Sequence, residues 1–209
     1  ASMAKKIFKP GALLNPLPLV MASLGETPEE YNIITIAWTG IVNSDPPMTY
    51  LSIRPSRHSH GILKRTGEFV INLTPASLAK AADYCGVRSG RDENKFTSQK
   101  LTPLPADLVK APMIQECPVN LECKVTQVIP YPSHDMFVAE ILRVHADENL
   151  LDENGRLMLE RAHLLSYNHG EYYGLQPTPL GFFGFSVMKP KTRKRKEKEK
   201  TTYRKNTNK

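Results

Sequence analysis

Two short stretches concentrate the side chains that could do chemistry. Thr35-Ile36-Ala37-Trp38-Thr39-Gly40 offers two hydroxyls, a flat apolar surface and a flexible backbone. Shortly after it, Ser52-Ile53-Arg54-Pro55-Ser56-Arg57-His58-Ser59 supplies three hydroxyls and two guanidinium groups. Arginine makes bidentate, charge-assisted hydrogen bonds that suit the oxygens of a phosphate. A strand end running into the first turn of a helix adds free backbone N–H groups and a favourable dipole. In the first stretch Thr35 and Thr39 suit the polar edge of a ring, Trp38 its face, and Ala37 and Gly40 a close backbone approach. The pair therefore suits a phosphorylated ring system, and flavin mononucleotide (FMN) fits it, since a flavin needs hydrogen bonds at its pyrimidine edge and near N5. Each stretch also has a plainer reading: two solvated arginines on a surface helix, and a lone tryptophan serving as a core or interface aromatic.

A third segment, Cys85-Gly-Val-Arg-Ser-Gly-Arg-Asp-Glu-Asn-Lys-Phe96, is a Gly-punctuated loop with Gly86, Ser89, Gly90 and Lys95. It can close over a cofactor edge with Lys95 on the phosphate or the dione oxygens, or simply be a solvated loop after a helix. Ser133-His134-Asp135 has the composition of a hydrolase triad, but neighbours in an extended chain point to opposite faces. His134 reads as a satisfied structural histidine or as a polar residue beside a ligand. The six histidines and the carboxylates show no convincing metal spacing.

These segments must be positioned by strands. Short apolar runs punctuated by Pro, Gly, Asn and Asp predict strands at 17–24, 32–38, 48–54, 68–73, 118–129 and 136–146. Shorter ones are expected near 157–159, 164–167 and 172–175, with Asp-Glu-Asn-Gly (152–155) as a hairpin turn. In 48–54 the alternation sets Ser52 and Arg54 together on a non-core face. One helix is predicted from Ser56 to Thr66, ended by Gly67. A second has Thr74 as N-cap, Pro75 in first position, Leu78, Ala81 and Ala82 on one stripe, and Gly86 as its end. Residues 88–110 read as a long loop with one helical turn near 93–97. This pattern, without strict strand–helix alternation, predicts a mainly β fold, a closed antiparallel barrel with inserted helices. No Gly-x-Gly-x-x-Gly follows a strand, so a Rossmann unit has no support.

Charge divides the chain. Residues 189–209 hold eleven of the 28 basic and two of the 21 acidic residues, so the remainder carries −2 and the overall +7 belongs to this tail. A nucleic-acid role for the folded body is therefore not indicated, and RNA or another anionic surface is a partner only through the tail. The tail has no apolar periodicity and is expected to be disordered, or weakly helical, in isolation. Cys85, Cys117 and Cys123 are odd in number and lack Cys-x-x-Cys spacing, which speaks against structural disulfides and for a reducing compartment. No apolar run is long enough for a membrane helix, and a cytoplasmic protein is expected.

Taken in order, several motifs resemble the flavin reductase-like, FMN-binding split-barrel proteins, and among them the flavoredoxin-type branch. They are IAWTGIVNSDPPM (36–48), SIRPSRHSHGIL (52–63), GEFVINL (67–73), DYCGVRSGRDENKF (83–96) and ECPVNLEC (116–123), followed by SHDMFVAEI (133–141), LLDENGRL (150–157) and SYNHGEYYGL (166–175). The resemblance spans roughly residues 15–188, between an N-terminal arm (1–14) and the basic tail. It implies a split-barrel homodimer with non-covalent FMN near the dimer interface, exchanging electrons with a small-molecule or protein donor and acceptor. By resemblance Thr35 to Gly40 line the ring, Ser52 to Ser59 the phosphate, Asn72 with the loop from Gly86 to Lys95 completes the pocket, and His134 stands near the flavin's open face on the substrate side. His58-Ser59 departs from the aromatic-then-threonine pair of many relatives, but Ser59 keeps the hydroxyl. The expected activity is an FMN-dependent oxidoreductase; the alternatives are an electron carrier without efficient NAD(P)H oxidation and a haem- or ligand-binding module.

Overall fold

The computed structural model describes residues 3–207, and side chains as far as residue 199; residues 1–2 of the expected arm and 208–209 of the tail lie outside the described residues. The chain forms β1 (Leu17–Pro18), β2 (Val20–Leu24), β3 (Asn32–Ile36), β4 (Thr39–Ser44) and β5 (Pro47–Ile53), then helix α1 (His58–Thr66). Next come β6 (Glu68–Leu73), α2 (Ala79–Val87), α3 (Lys95–Ser98), β7 (Pro103–Leu104) and β8 (Met113–Ile114). The long strands β9 (Val119–Pro130) and β10 (Asp135–Ala146) precede β11 (Leu165–Asn168), β12 (Glu171–Gly174) and helix α4 (Pro190–Thr207).

Seven strands make one antiparallel sheet in the order β3-β2-β6-β9-β10-β5-β4. It curls into the split barrel that the resemblance implies; its end strands β3 and β4 are not paired with each other, so the closure expected from the strand pattern alone is not reached. Alternation explains why the sheet is covered on both sides. Val20, Ala22 and Leu24 of β2, with Ile34 and Ile36 of β3, point into the barrel core beside Leu51, Phe69 and Phe137. The intervening Met21 and Ile33 point outward, under Ala82 and Cys85 of α2 and Phe96 of α3. β2 is buried along its whole length for this reason. Helix α1 adds Ile62 and Leu63 to the barrel core and ends at Gly67, whose φ of 68° lets its N–H reach the Leu63 carbonyl at 2.8 Å.

Local differences from the sequence expectation have physical causes. α1 starts at His58 rather than Ser56, because Arg57 is still extended. Thr74 does not cap α2: its hydroxyl accepts the Met21 N–H and donates to the Asn72 carbonyl, both at 3.1 Å, which fixes it to the sheet. A 3-10 turn (Ala76–Leu78) therefore precedes α2, and the helix runs through Gly86 to Val87. Residues 157–159 form no strand; Leu157 makes a single bridge to Leu151 across the turn at Gly155. β3 ends at Ile36 rather than 38 because the chain bends at Ala37 and Trp38, and β4 is a strand that the sequence reading does not predict.

The first compact unit runs to Leu175. Residues 176–209 form a second unit containing α4. None of its described side chains, residues 190–199, is buried; the pairs Arg193–Glu197 and Arg195–Glu199, at 3.3 and 3.7 Å, support it at i,i+4 spacing where the sequence predicts disorder or a weak helix in isolation.

Candidate functional site

Two adjoining cavities open between the ends of β3 and β5, α1 and α2. The first, about 190 Å³, is lined by Thr35, Ala37, Trp38, Ser52, Arg54, Arg57, Gly86 and His134, with Ile34, Ile36 and Ile53 beneath. The second, about 340 Å³, lies along α1 between Pro55, Arg57, His58, His60, Gly61, Ile62, Arg65 and Arg91. Arg57 lines both. One cavity therefore has an aromatic wall and hydroxyls, while the other is basic, and a single guanidinium stands at their junction.

Local sequence fixes this arrangement. Trp38 sits at the turn between β3 and β4, edge-on to Tyr167 with ring centroids 6.3 Å apart. Arg57 donates from Nη2 to the Gly86 carbonyl at 2.7 Å, tying the start of α1 to α2. A Cβ at Gly86 would stand 3.2 Å from the Thr35 Cβ, a tight contact that Thr35 would have to yield to by a few tenths of an ångström. Thr35 in turn donates its hydroxyl to the Ala82 carbonyl at 2.5 Å. His134 faces Arg54; burial and then the Arg54 charge hold its imidazole below the ordinary histidine value. The same two causes, burial first and then Arg91 and Lys95, lower His58. Both imidazoles are thus biased toward the neutral form beside a positively charged cavity.

Ser59 lies under the first turn of α1 and is buried, with its Oγ accepting from Asn32 Nδ2 at 2.7 Å. Its own O–H remains available as a donor, but Ser59 lines neither cavity. Ser56 is exposed at the same turn. Ser89 and Gly90 belong to the loop after α2, and Gly90 approaches so closely that a Cβ there would sit 2.3 Å from Asn32 Oδ1. Other expected residues face elsewhere. Thr39 donates to the Tyr50 carbonyl at 2.7 Å, and the space at Gly40 is taken by the Tyr50 ring, 3.2 Å from a built Cβ. Asn72 is wholly buried: Nδ2 donates to the Met21 carbonyl and Ser23 Oγ, both at 2.9 Å, while Oδ1 accepts from Ile114 N and Asn120 Nδ2 at 2.9 and 2.8 Å. It lines neither cavity.

Lys95 is the least expected. It is 1 % exposed, and its Nζ donates to the Ile33 and Cys85 carbonyls at 2.8 and 2.9 Å. Burial, with the Arg57 charge adding to it, pulls its pKa from 10.5 to about 8. Since the unfolded chain binds this proton more tightly, stability rises as pH climbs from about 8 to about 10.5. Urea titrations across that window are expected to show this gain in the wild type and lose it in Lys95→Met. Parallel pH profiles for the two proteins would refute the assignment.

Residues that the sequence did not single out complete the site. Asn32 joins Ser59 to the Gly90 loop, and His60 Nε2 lies 2.7 Å from Asp135 Oδ2, edge-on to Phe137. Neither pair has a sequence signal, because the partners are far apart along the chain. The Ser133-His134-Asp135 run also needs correcting. Ser133 Oγ does reach His134 Nδ1 at 2.7 Å, since both residues precede β10 and strict alternation does not apply. Asp135 nonetheless turns to His60 rather than to His134, so no triad forms.

A split β-barrel with an aromatic-walled cavity opening onto a basic one defines a recognisable class of protein. Residues 13–176 match the flavin reductase like domain, and the chain belongs to that family. It is 37% identical over 120 residues to an uncharacterised protein of Archaeoglobus fulgidus, covering 57% of this chain and 68% of that one. It is 29% identical over 141 residues to a protein of Rhodococcus qingshengii named NADH:FMN oxidoreductase, covering 67% and 65%. Among solved structures, the flavoredoxin of Desulfovibrio vulgaris (Miyazaki F) superposes with a TM-score of 0.81 at 30% identity, over 88% of this chain and 100% of that one.

Proposed function

We propose that the protein is an FMN-binding oxidoreductase that passes electrons from a nicotinamide or protein donor, through bound FMN, to a small-molecule or protein acceptor. The observation that carries this reading is the pair of cavities joined at Arg57, one lined by Trp38 and hydroxyls and the other by arginines and histidines. When bound, FMN supplies hydride or single-electron exchange, and the chain's residues supply binding and electrostatics.

Their tasks follow from position. Trp38 walls the ring cavity, Thr35 and Ser52 present hydroxyls to it, and His134 and Arg54 flank its opening. Arg57 and the first-turn amides of α1 take the phosphate, with Arg91 at the rim of the basic cavity; Ser59, buried beneath that turn, reaches it through its hydroxyl only if the turn opens to the ligand. Lys95 lies beneath as a buried cation held only by carbonyl oxygens, and favours an anion above it. Asn72, Thr39 and Gly40 act at one remove, by holding the strands that carry the cavity walls.

A homodimer belongs to this proposal. Ile41 and Val42 on the edge strand β4, with Val128 and Val144 on β9 and β10, are exposed apolar side chains on one sheet, and a second copy would cover them. A cytoplasmic setting is also proposed: the three cysteines are free and buried, and no described helix is long and apolar enough to cross a membrane.

The likeness to a flavoredoxin, at an identity equal to or above that of the NADH:FMN oxidoreductase, gives a second reading. In it the protein is an electron carrier that oxidises NADH and NADPH poorly. An absorbance spectrum followed by anaerobic addition of NADH and then NADPH separates the two. Flavin bands near ~375 and ~450 nm that bleach with one nucleotide are expected of the oxidoreductase. Bands that persist until a ferredoxin-like donor is added favour the carrier. A Soret band, or no flavin retained after FMN is supplied, would defeat both and favour a haem- or ligand-binding module.

A further inference from the structure

A second cluster of reactive side chains stands well away from the two cavities. His145 near the end of β10, Glu122 on β9 and Asp107 in the segment between β7 and β8 bring one imidazole nitrogen and two carboxylates within 4.8 Å of one another. Among the described residues this is the one grouping of three such ligands. We propose that Asp107, Glu122 and His145 bind a divalent transition-metal ion, zinc foremost, which fastens the 105–112 segment to the β9–β10 ribbon.

The site is built from inside outward. Glu122 is fully buried, and its Oε1 accepts the amides of Leu108 and Val109 at 2.6 and 3.1 Å. That fixes the carboxylate so that Oε2 faces His145 Nε2, 2.6 Å away. A register shift between Ile141 and Arg143 sets Arg143 opposite Glu122, so that Arg143 and His145 share the face on which Glu122 lies. Asp107 closes the group from the exposed side, with Oδ2 at 3.9 Å from His145 Nε2 and 3.0 Å from Arg143 Nη1. The Leu108 and Val109 amides and the Arg143 guanidinium thus act on the ligating groups from behind, as partners that orient ligands do in metal sites.

The donor set selects the ion. One imidazole and two carboxylates suit zinc and its first-row neighbours, whereas calcium takes six or more oxygens. Bonds of about 2.0–2.2 Å need the His145–Glu122 contact to widen modestly, which the half-buried His145 allows. Three protein ligands leave a fourth position for water on the side of the exposed Asp107. On binding, Nε2 gives up any proton it shares with Glu122, to Nδ1 or to solvent, and the ion takes its place.

The cluster is independent of the flavin reading. His134 and His145 lie at opposite ends of β10, roughly 30 Å apart along an extended strand. The test uses the full chain, stripped with EDTA, dialysed and titrated with Zn²⁺, with elemental analysis after buffer exchange and thermal melting as readouts. One zinc per chain and a higher melting temperature are expected. Asp107→Asn and His145→Gln should each weaken zinc binding more than tenfold and remove most of the thermal gain. Asp107 is exposed, so its variant tests the site even where changes at Glu122 prevent folding. Failure to retain zinc, or equal retention by both variants, would overturn the proposal.

Discussion

Replacing Arg57 and Ser59 together by alanine is expected to weaken FMN binding more than tenfold, on the order of 1.4 kcal/mol or more. Arg57 lines both cavities, and its guanidinium is already oriented by the bond from Nη2 to the Gly86 carbonyl. A pre-oriented cation loses little freedom on meeting a phosphate, and charge-assisted bonds are the stronger kind. Ser59 keeps a donor free while Asn32 supports its oxygen. The loss should fall mainly on FMN and much less on riboflavin, which has the same ring and no phosphate. Fluorescence titration with both ligands measures the difference. Unchanged FMN affinity, or an equal loss for riboflavin, would remove these residues from the phosphate site.

The second large effect is on folding. Asn72→Ala should cost about 3 kcal/mol, because it leaves buried donors without acceptors and buried acceptors without donors. Its side chain joins Met21 and Ser23 of β2, Ile114 of β8 and Asn120 of β9, and nothing but protein surrounds it. For a chain of this size that corresponds to a melting temperature lower by about 6–12 °C. Urea unfolding without flavin isolates the effect. A change under about 1 kcal/mol, accompanied by weaker FMN binding, would instead return Asn72 to the ligand site.

Asn72 and Lys95 also mark the boundary of what the sequence discloses. The fold was legible because the alternation in 48–54 and the short apolar run at 68–73 are local properties, and the strands fall close to where they place them. The ring and anion segments were legible for the same reason, since 35–38 and 52–59 each carry their chemistry within a few consecutive residues. Polar residues whose partners lie far along the chain were not. Asn72 and Lys95 have the composition of ligand contacts, yet the carbonyls and amides they satisfy come from β2, β3, α2 and β8. Asn32 and His60 were silent because Ser59 stands 27 residues from the first and Asp135 stands 75 from the second. β4 was missed through register: Ile41 and Val42 follow Gly40 without the burial that usually announces a strand.

The position of Trp38 has a practical consequence. It is the chain's single tryptophan, and it stands on the wall of the ring cavity, 38 % exposed. Ultraviolet emission from this protein is therefore a local label rather than an average over many sites. A quencher in solution reports whether the cavity mouth is open. A bound chromophore that absorbs in the emission band reports its own arrival by energy transfer, with no dye attached and no residue changed.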